Sequence, residues 1–176
     1  FLSDLTINLK NFIIPISIIT IISLSNSVNL TDGLDGLAAG CSSIVFCGLG
    51  TEILFNDNKT YLIFSLLSFC MSGLCLGFLK HNKYPAKIFM GDTGSLTIGA
   101  IIGIICVVTN SFFTTFIISG IFVAEALSVI LQVSYFKISK KLFNKAKRLF
   151  LMTPIHHHFE LKGFKEKKNS RNILVN

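Results

Sequence analysis

The sequence predicts an all-α fold, a polytopic bundle of about five membrane-spanning helices. Two observations lead to this prediction. Hydrophobic residues make up 51% of the 176 residues and charged residues only 14%, against roughly 25% charged in an ordinary soluble domain. The apolar residues also fall into five runs that approach the ~20 residues a spanning helix needs. A soluble core is therefore excluded.

The five predicted spans follow one another with short polar connections. They cover about 11–28, 36–55, 60–79, 94–109 and 112–136. Beyond the fifth span, residues 140–151 place Leu, Phe and Ala on one helical face and Lys and Arg on the other, which predicts a cytoplasmic amphipathic helix. We therefore divide the chain into a spanning region 1–138, a segment 139–163 with the amphipathic helix and a His-rich loop, and a polar tail 164–176.

Basic residues are strongly segregated along the chain. With five spans, 14 of the 16 Lys and Arg residues lie on one face of the membrane, and only Lys10 and Lys59 lie on the other. This bias predicts that the basic face is cytoplasmic. Aromatic residues do not alternate with the basic ones, so the net charge of +7 does not indicate a nucleic-acid partner.

Three polar motifs interrupt the apolar runs, at 29–36, 84–95 and 154–160. The predicted topology places all three on the cytoplasmic face. Convergence of the chain's most polar loops on one side is what an active site requires. We therefore expect a candidate active site at the cytoplasmic membrane surface.

The first motif carries Asp32 and Asp35 at a spacing of three. Residues i and i+3 of a helix face the same way, and two carboxylates that close repel each other unless a cation or a donor lies between them. The pattern is compatible with a site for a metal or for substrate hydroxyl groups. Helix N-capping explains the same residue types equally well.

The second motif places Asp92 directly before the fourth predicted span. A helix N-terminus with glycines binds phosphate, and an aspartate there suits Mg²⁺, which prefers oxygen ligands and phosphate. Lys83 and Lys87 would attract an anionic substrate. Simple capping by Asp92 is the alternative.

The third motif has His156, His157 and His158 in a row. Consecutive residues diverge by about 100° on a helix and 180° on a strand, so all three cannot bind one metal. One or two of them could contact phosphate or transfer a proton, and a surface cluster without a role is the alternative. In the fifth span we interpret Glu125 as a structural hydrogen-bonding group, with Gln132 on roughly the same face.

The three motifs, taken as 29–38, 89–95 and 154–163, together resemble the phospho-N-acetylmuramoyl-pentapeptide transferases. These form a branch of the polyprenyl-phosphate N-acetylhexosamine-1-phosphate transferase superfamily, and the His-His-His-Phe-Glu run is the most specific part of the match. The resemblance implies transfer of phospho-MurNAc-pentapeptide from UDP to undecaprenyl phosphate. The products would be lipid I and UMP, with Mg²⁺ as cofactor, in peptidoglycan synthesis at the bacterial inner membrane.

The resemblance also implies roles for individual residues. Asp92 would bind Mg²⁺ or act directly in catalysis, and Asp32 and His156 would be catalytic. The remaining residues would bind substrate, in the catalytic cleft or the uridine pocket: Asn29, Gly33, Leu34, Asp35, Asn82, Phe89 and His157. A homodimer is left open.

The chain departs from the family pattern in its extent. The family has about ten spans and an Asp-Asp motif in its first half, whereas this chain shows five spans and no such motif before Asn29. We therefore expect a portion of a longer enzyme, inactive by itself. Two alternatives stay open: a sister transferase that moves N-acetylglucosamine phosphate, and a non-catalytic membrane scaffold or cation conduit.

Overall fold

The computed structural model describes residues 12–56, 59–144 and 147–162, and within these ranges it is helical without any β-strand. The helices are α1 (Ile13–Thr31), α2 (Leu37–Leu54), α3 (Leu62–Asn82), α4 (Gly91–Thr109), α5 (Phe112–Ile118), α6 (Gly120–Phe143) and α7 (Ile155–Leu161). Five of the described helices are long and apolar enough to cross a membrane. The predicted all-α fold with about five spans is confirmed.

The bundle is built from two closely packed helix pairs, α1 with α4 and α2 with α3, while α6 packs along α1. Gly99 and Gly103 of α4 allow the first pair to approach closely. A side chain at Gly99 would overlap the carbonyl oxygen of Leu24, and one at Gly103 would lie 2.8 Å from the Cα of Ile21. This is the small-residue packing expected between membrane helices, and it aligns the end of α1 with the start of α4.

The prediction of one continuous helix over 112–136 is wrong, because the chain bends at Ser119. The bend falls at the Ser119–Gly120 pair, a combination that commonly kinks helices, and Gly has low helix propensity. Backbone hydrogen bonds from Ser119 N to Thr115 O (2.8 Å) and from Val123 N to Ser119 O (3.1 Å) persist across it. Backbone hydrogen bonding on both sides of Ser119 therefore persists although the helix is interrupted there.

The predicted amphipathic helix over 140–151 is also wrong beyond Phe143. Asn144 adopts a left-handed conformation (φ 50°) that ends α6, and residues 147–154 are not helical. Side chains of α6 bind the backbone of this segment instead. Ser139 Oγ accepts a hydrogen bond from Lys147 N at 3.0 Å, so the chain folds back along α6. The His motif, predicted as a loop, lies on the short helix α7.

Candidate active site

The three polar motifs lie at one end of the bundle, where α1 ends, α4 begins and α7 packs against them. Asn29 of the first motif donates a hydrogen bond to Asp92 of the second at 2.9 Å. Gly33 of the first motif lies against His156 of the third. The prediction that the three motifs converge is therefore supported by direct contacts.

The first group of side chains, here called the charged pocket, consists of Asn29, Asp32, Asp92 and Ser95. Asn29, in the last turn of α1, donates from Nδ2 to Asp92 Oδ1 and to Ser95 Oγ at 3.0 Å. Ser95 is fully buried, and its hydroxyl donates to Gly91 O at 3.0 Å. Asn29 thus fixes the Asp92 carboxylate across the α1–α4 interface.

Asp32 completes the charged pocket directly after the last residue of α1. Burial raises the pKa of the Asp32 carboxyl, the nearby charge of Asp92 raises this pKa further, and a hydrogen bond from Gly91 N–H opposes both effects. The structure therefore brings together two carboxylates from different motifs. The mutual repulsion expected between Asp32 and Asp35 exists instead between Asp32 and Asp92.

The expectation that Asp32 and Asp35 share a helix face is wrong, because α1 ends at Thr31 and both residues lie in the following turn. Asp35 accepts a hydrogen bond from Ala86 N on its Oδ2 at 2.9 Å. Its carboxylate binds the loop between α3 and α4. It does not form a two-carboxylate site with Asp32.

Asn82, at the end of α3, holds the same loop from within. It is buried, accepts a hydrogen bond from Gly36 N at 3.0 Å and donates to Ile88 O at 2.9 Å. We call Asp35 and Asn82 the loop lock, because together they tie the 33–36 turn to the 83–90 loop. Phe89, which is 77% exposed, lies on the loop that the lock holds.

The capping alternatives are contradicted. The N-cap residues of α2 and α4 are Gly36 and Met90, and neither helix has a side-chain hydrogen bond at its cap. Asp92 lies within the first turn of α4, where its negative charge is favoured by the helix dipole.

The three histidines of α7 point in different directions, which agrees with the prediction that they cannot share one metal. His156 is buried, with Nδ1 lying 3.2 Å from Glu125 Oε2. His157 is half-buried and bonds Glu160 Oε2 at 3.0 Å. His158 accepts a hydrogen bond from Leu151 N on Nδ1 at 3.1 Å and packs edge-on against Phe150.

Gly33 is the point at which α7 meets the first motif. A side chain there would overlap Nε2 of His156 and would lie 3.4 Å from Nε2 of His157. A side chain at this position would therefore have to displace the His156 ring. The close approach places both predicted site histidines at the turn that contains Asp32, so the catalytic residues proposed from sequence lie in one neighbourhood.

Comparison with known proteins gives a consistent result. Residues 1–110 match glycosyl transferase family 4. The chain belongs to this family. Two relatives, each named phospho-N-acetylmuramoyl-pentapeptide-transferase, come from Prochlorococcus marinus. The protein of strain MED4 is 71% identical over 161 residues and that of strain MIT 9515 is 68% identical over 161, covering 92% of this chain in both cases and 45% and 44% of the relative.

A more distant relative of the same name, from Pelodictyon phaeoclathratiforme, is 46% identical over 180 residues, covering 96% of this chain and 49% of that protein. The chain thus spans slightly less than half the length of these curated relatives. Family membership and the five apolar helices together identify an integral membrane protein.

The charged pocket contains carboxylate oxygen atoms that could bind a cation. No group of three His, Cys, Asp or Glu side chains that could hold a metal occurs among the described residues. Mg²⁺ does not need one, since it is usually bound by one or two carboxylates together with substrate phosphates and water. The adjacent carboxylates of Asp32 and Asp92 fit that requirement, and a divalent cation would relieve their repulsion.

Sequence reasoning missed one contributor to this site. Ser95 lies in the second motif, three residues after Asp92, and that spacing was the available signal. Glu125 was interpreted as a structural hydrogen-bonding group, and this is confirmed, because it is buried and accepts a hydrogen bond from His156 N at 3.4 Å. The sequence did not indicate that its partner would be His156.

Proposed function

We propose that this chain carries the catalytic cleft of a phospho-N-acetylmuramoyl-pentapeptide transferase. The donor is UDP-MurNAc-pentapeptide, the acceptor is undecaprenyl phosphate, and the products are lipid I and UMP. The observation that carries the proposal is the convergence of Asp32, Asp92, Asn29 and the two histidines at one end of a membrane bundle. The names of the relatives support the choice of substrates.

The reaction is a phosphoryl transfer, which depends on positioning and on neutralising charge more than on covalent chemistry. An oxygen of the lipid phosphate attacks the phosphorus next to the sugar, the bond between the two donor phosphates breaks, and UMP leaves. Mg²⁺, held by Asp92 with Asp32 beside it, would neutralise charge on the donor diphosphate. Asn29 keeps Asp92 in place, and His156 and His157 border the same cleft at Gly33.

The loop lock supports a separate role for the neighbouring surface. Asp35 and Asn82 fix the turn of Gly33 and Leu34 relative to the loop that ends at Phe89. An exposed aromatic ring on a fixed loop is suited to stacking on a base. We assign the uridine of the donor to this surface, beside the charged pocket that takes the diphosphate.

The membrane setting follows from the charge distribution. The basic face of the predicted topology is the one that carries the three motifs, so the cleft opens to the cytoplasm in the bacterial inner membrane. That location lets it receive a soluble nucleotide and a lipid phosphate together, as peptidoglycan synthesis, cell shape and division would require. A homodimer stays a prediction, to be checked by crosslinking in membranes.

The test uses a chimera in which this chain replaces the matching 161 residues of the Prochlorococcus marinus MED4 relative. UMP release is measured in detergent with undecaprenyl phosphate and either UDP-MurNAc-pentapeptide or UDP-N-acetylglucosamine, with Mg²⁺ or with EDTA. Mg²⁺-dependent release from the muramoyl donor alone is expected. Release from the N-acetylglucosamine donor alone would indicate the sister transferase. A folded chimera without release from either donor would favour a scaffold or conduit.

A further inference from the structure

One face of α6 carries three polar side chains at intervals of seven residues: Glu125, Gln132 and Ser139. A seven-residue interval returns to nearly the same face of a helix, with a drift of about 20°. Each of the three contacts the segment that folds back from the end of α6 to α7. We call these residues the polar stripe.

The contacts of the polar stripe follow the returning segment in order. Ser139 binds its start at Lys147. Gln132 binds its middle, accepting from Leu149 N and Phe150 N at 2.9 Å each and donating to Phe150 O at 3.1 Å. Glu125 binds its end, accepting from His156 N at 3.4 Å. The stripe therefore sets the path of the segment and the place where α7 begins.

Glu125 also determines the surroundings of the His156 ring. The two residues are 5% and 7% exposed, and Glu125 Oε2 lies 3.2 Å from Nδ1 in a contact that is not a hydrogen bond. Nε2 is buried, has no hydrogen-bond partner among the described residues, and lies against Gly33. An oxygen atom at this distance favours the proton on Nδ1, which leaves the unprotonated Nε2 facing the Gly33 turn.

We propose that Glu125 is a positioning residue of the active site. Through its contacts with the His156 backbone and ring, it fixes the ring against Gly33 and so fixes the turn that carries Asp32. The proposal rests on the proposed transferase function for its effect on turnover, whereas the contact itself is independent of that function.

The test compares Glu125→Gln with Glu125→Asp in the chimera. The Gln side chain has the same length and keeps an oxygen atom but has no charge. The Asp side chain keeps the charge but is one methylene shorter. Positioning by contact predicts that Gln retains most of kcat, while Asp lowers kcat by about 10–100-fold, the range for groups that orient a functional side chain. KM for either substrate should change little, since Glu125 is buried and contacts His156.

Glu52→Gln and Glu52→Asp are the matched controls, because Glu52 lies in α2 near the end remote from Gly36. Both should retain kcat. Thermal midpoints of all variants report folding. Equal loss of kcat in Gln and Asp, or a greater loss in Gln, would overturn the positioning role, as would losses of the same size at Glu52.

Nitrogen-15 NMR of histidine-labelled chimera provides a readout that does not need turnover. The His156 signal, assigned by its absence in His156→Asn, should show the proton on Nδ1 in the parent and in Glu125→Gln and should change in Glu125→Asp. A proton on Nε2 in the parent would refute the proposal. A chimera that gives the expected spectrum but no turnover would refute the transferase function and leave the Glu125–His156 contact standing.

Discussion

Asp32 and Asp35 are three residues apart in one motif, yet they belong to regions of opposite character. Asp35, in the loop lock, pairs its carboxylate with Ala86 N–H, next to Asn82 with both ends of its amide bonded to backbone. Asp32, in the charged pocket, faces another carboxylate in a partly buried place that raises its pKa.

This difference separates what holds the site together from what performs its chemistry. Polar groups that are fully paired within the protein stabilise a particular loop conformation. Carboxylates kept close without a cation cost stability, and proteins tolerate such costs mainly at functional sites. Variants of the two regions should therefore fail in different ways: those of the charged pocket in turnover, those of the loop lock in stability.

The largest effect is expected for Asp92→Asn in the chimera. The amide can still accept the hydrogen bond from Asn29, so the fold should persist, but the charge that would hold Mg²⁺ is lost. We expect kcat to fall by about 10²–10³-fold, the range for removal of one charge-stabilising group. UMP release and the thermal midpoint are measured together, with Glu52→Gln as the control. Unchanged turnover would remove Asp92 from the site and favour a scaffold.

A metal-binding measurement sharpens the same result. Mn²⁺ binding, followed by electron paramagnetic resonance as a substitute for Mg²⁺, should weaken in Asp92→Asn by at least about tenfold, since hard cations depend on carboxylate ligands. Glu52→Gln should bind Mn²⁺ as the parent does. Equal binding by parent and Asp92→Asn would place the cation elsewhere.

An intermediate effect is expected for Asn82→Ala in the loop lock. The change leaves Gly36 N–H and Ile88 C=O without their side-chain partner, and an unsatisfied buried group costs about 1–3 kcal/mol. The thermal midpoint should fall. Asn26→Ala is the control, since Asn26 is exposed and its side chain donates to Ile22 O within its own helix, α1. A midpoint as high as that of the control would mean that the lock does not stabilise the loop.

The smallest effect is expected for Asp32→Asn without metal. Because the folded state raises the pKa of Asp32, ionisation of this carboxyl disfavours the folded state. The ionised carboxylate therefore lowers the stability of the parent above that raised pKa, and this loss of stability disappears as the pH falls through it. Asp32→Asn should have a slightly higher midpoint than the parent at neutral pH, and the gap should close on acidification. A lower midpoint at neutral pH would show that Asp32 is not under repulsion.

Much of this arrangement could be predicted from residues alone. The apolar runs fixed the number of spans, because a helix in lipid must satisfy its own backbone and be long enough to cross. The positions of the polar motifs between those runs then placed Asp32, Asp92 and His156 at one end of the bundle. The divergence of the three histidines followed from helix geometry.

Other features could not be predicted, because they depend on atoms far apart in sequence. Whether Asp35 pairs with Asp32 or with Ala86 depends on α1 ending at Thr31, and Asn82 and Asp35 bind different backbone groups of one loop. The break at Ser119 is one such feature. Another is the segment 147–150, which hydrogen bonds to Gln132 and Ser139 instead of forming the predicted amphipathic helix. Local pattern gives no measure of such long-range hydrogen bonds.

The sequence by itself determined that this protein crosses a membrane several times and where its chemistry-bearing residues fall, since hydrophobic length and loop position are local properties. Only the tertiary structure decided which carboxylates meet and which residue holds His156. Those outcomes depend on the packing of α1 against α4 and of the returning segment against α6. Burial and hydrogen-bond geometry at these two interfaces determine which of several possible partners each polar side chain contacts, and the sequence does not distinguish among them.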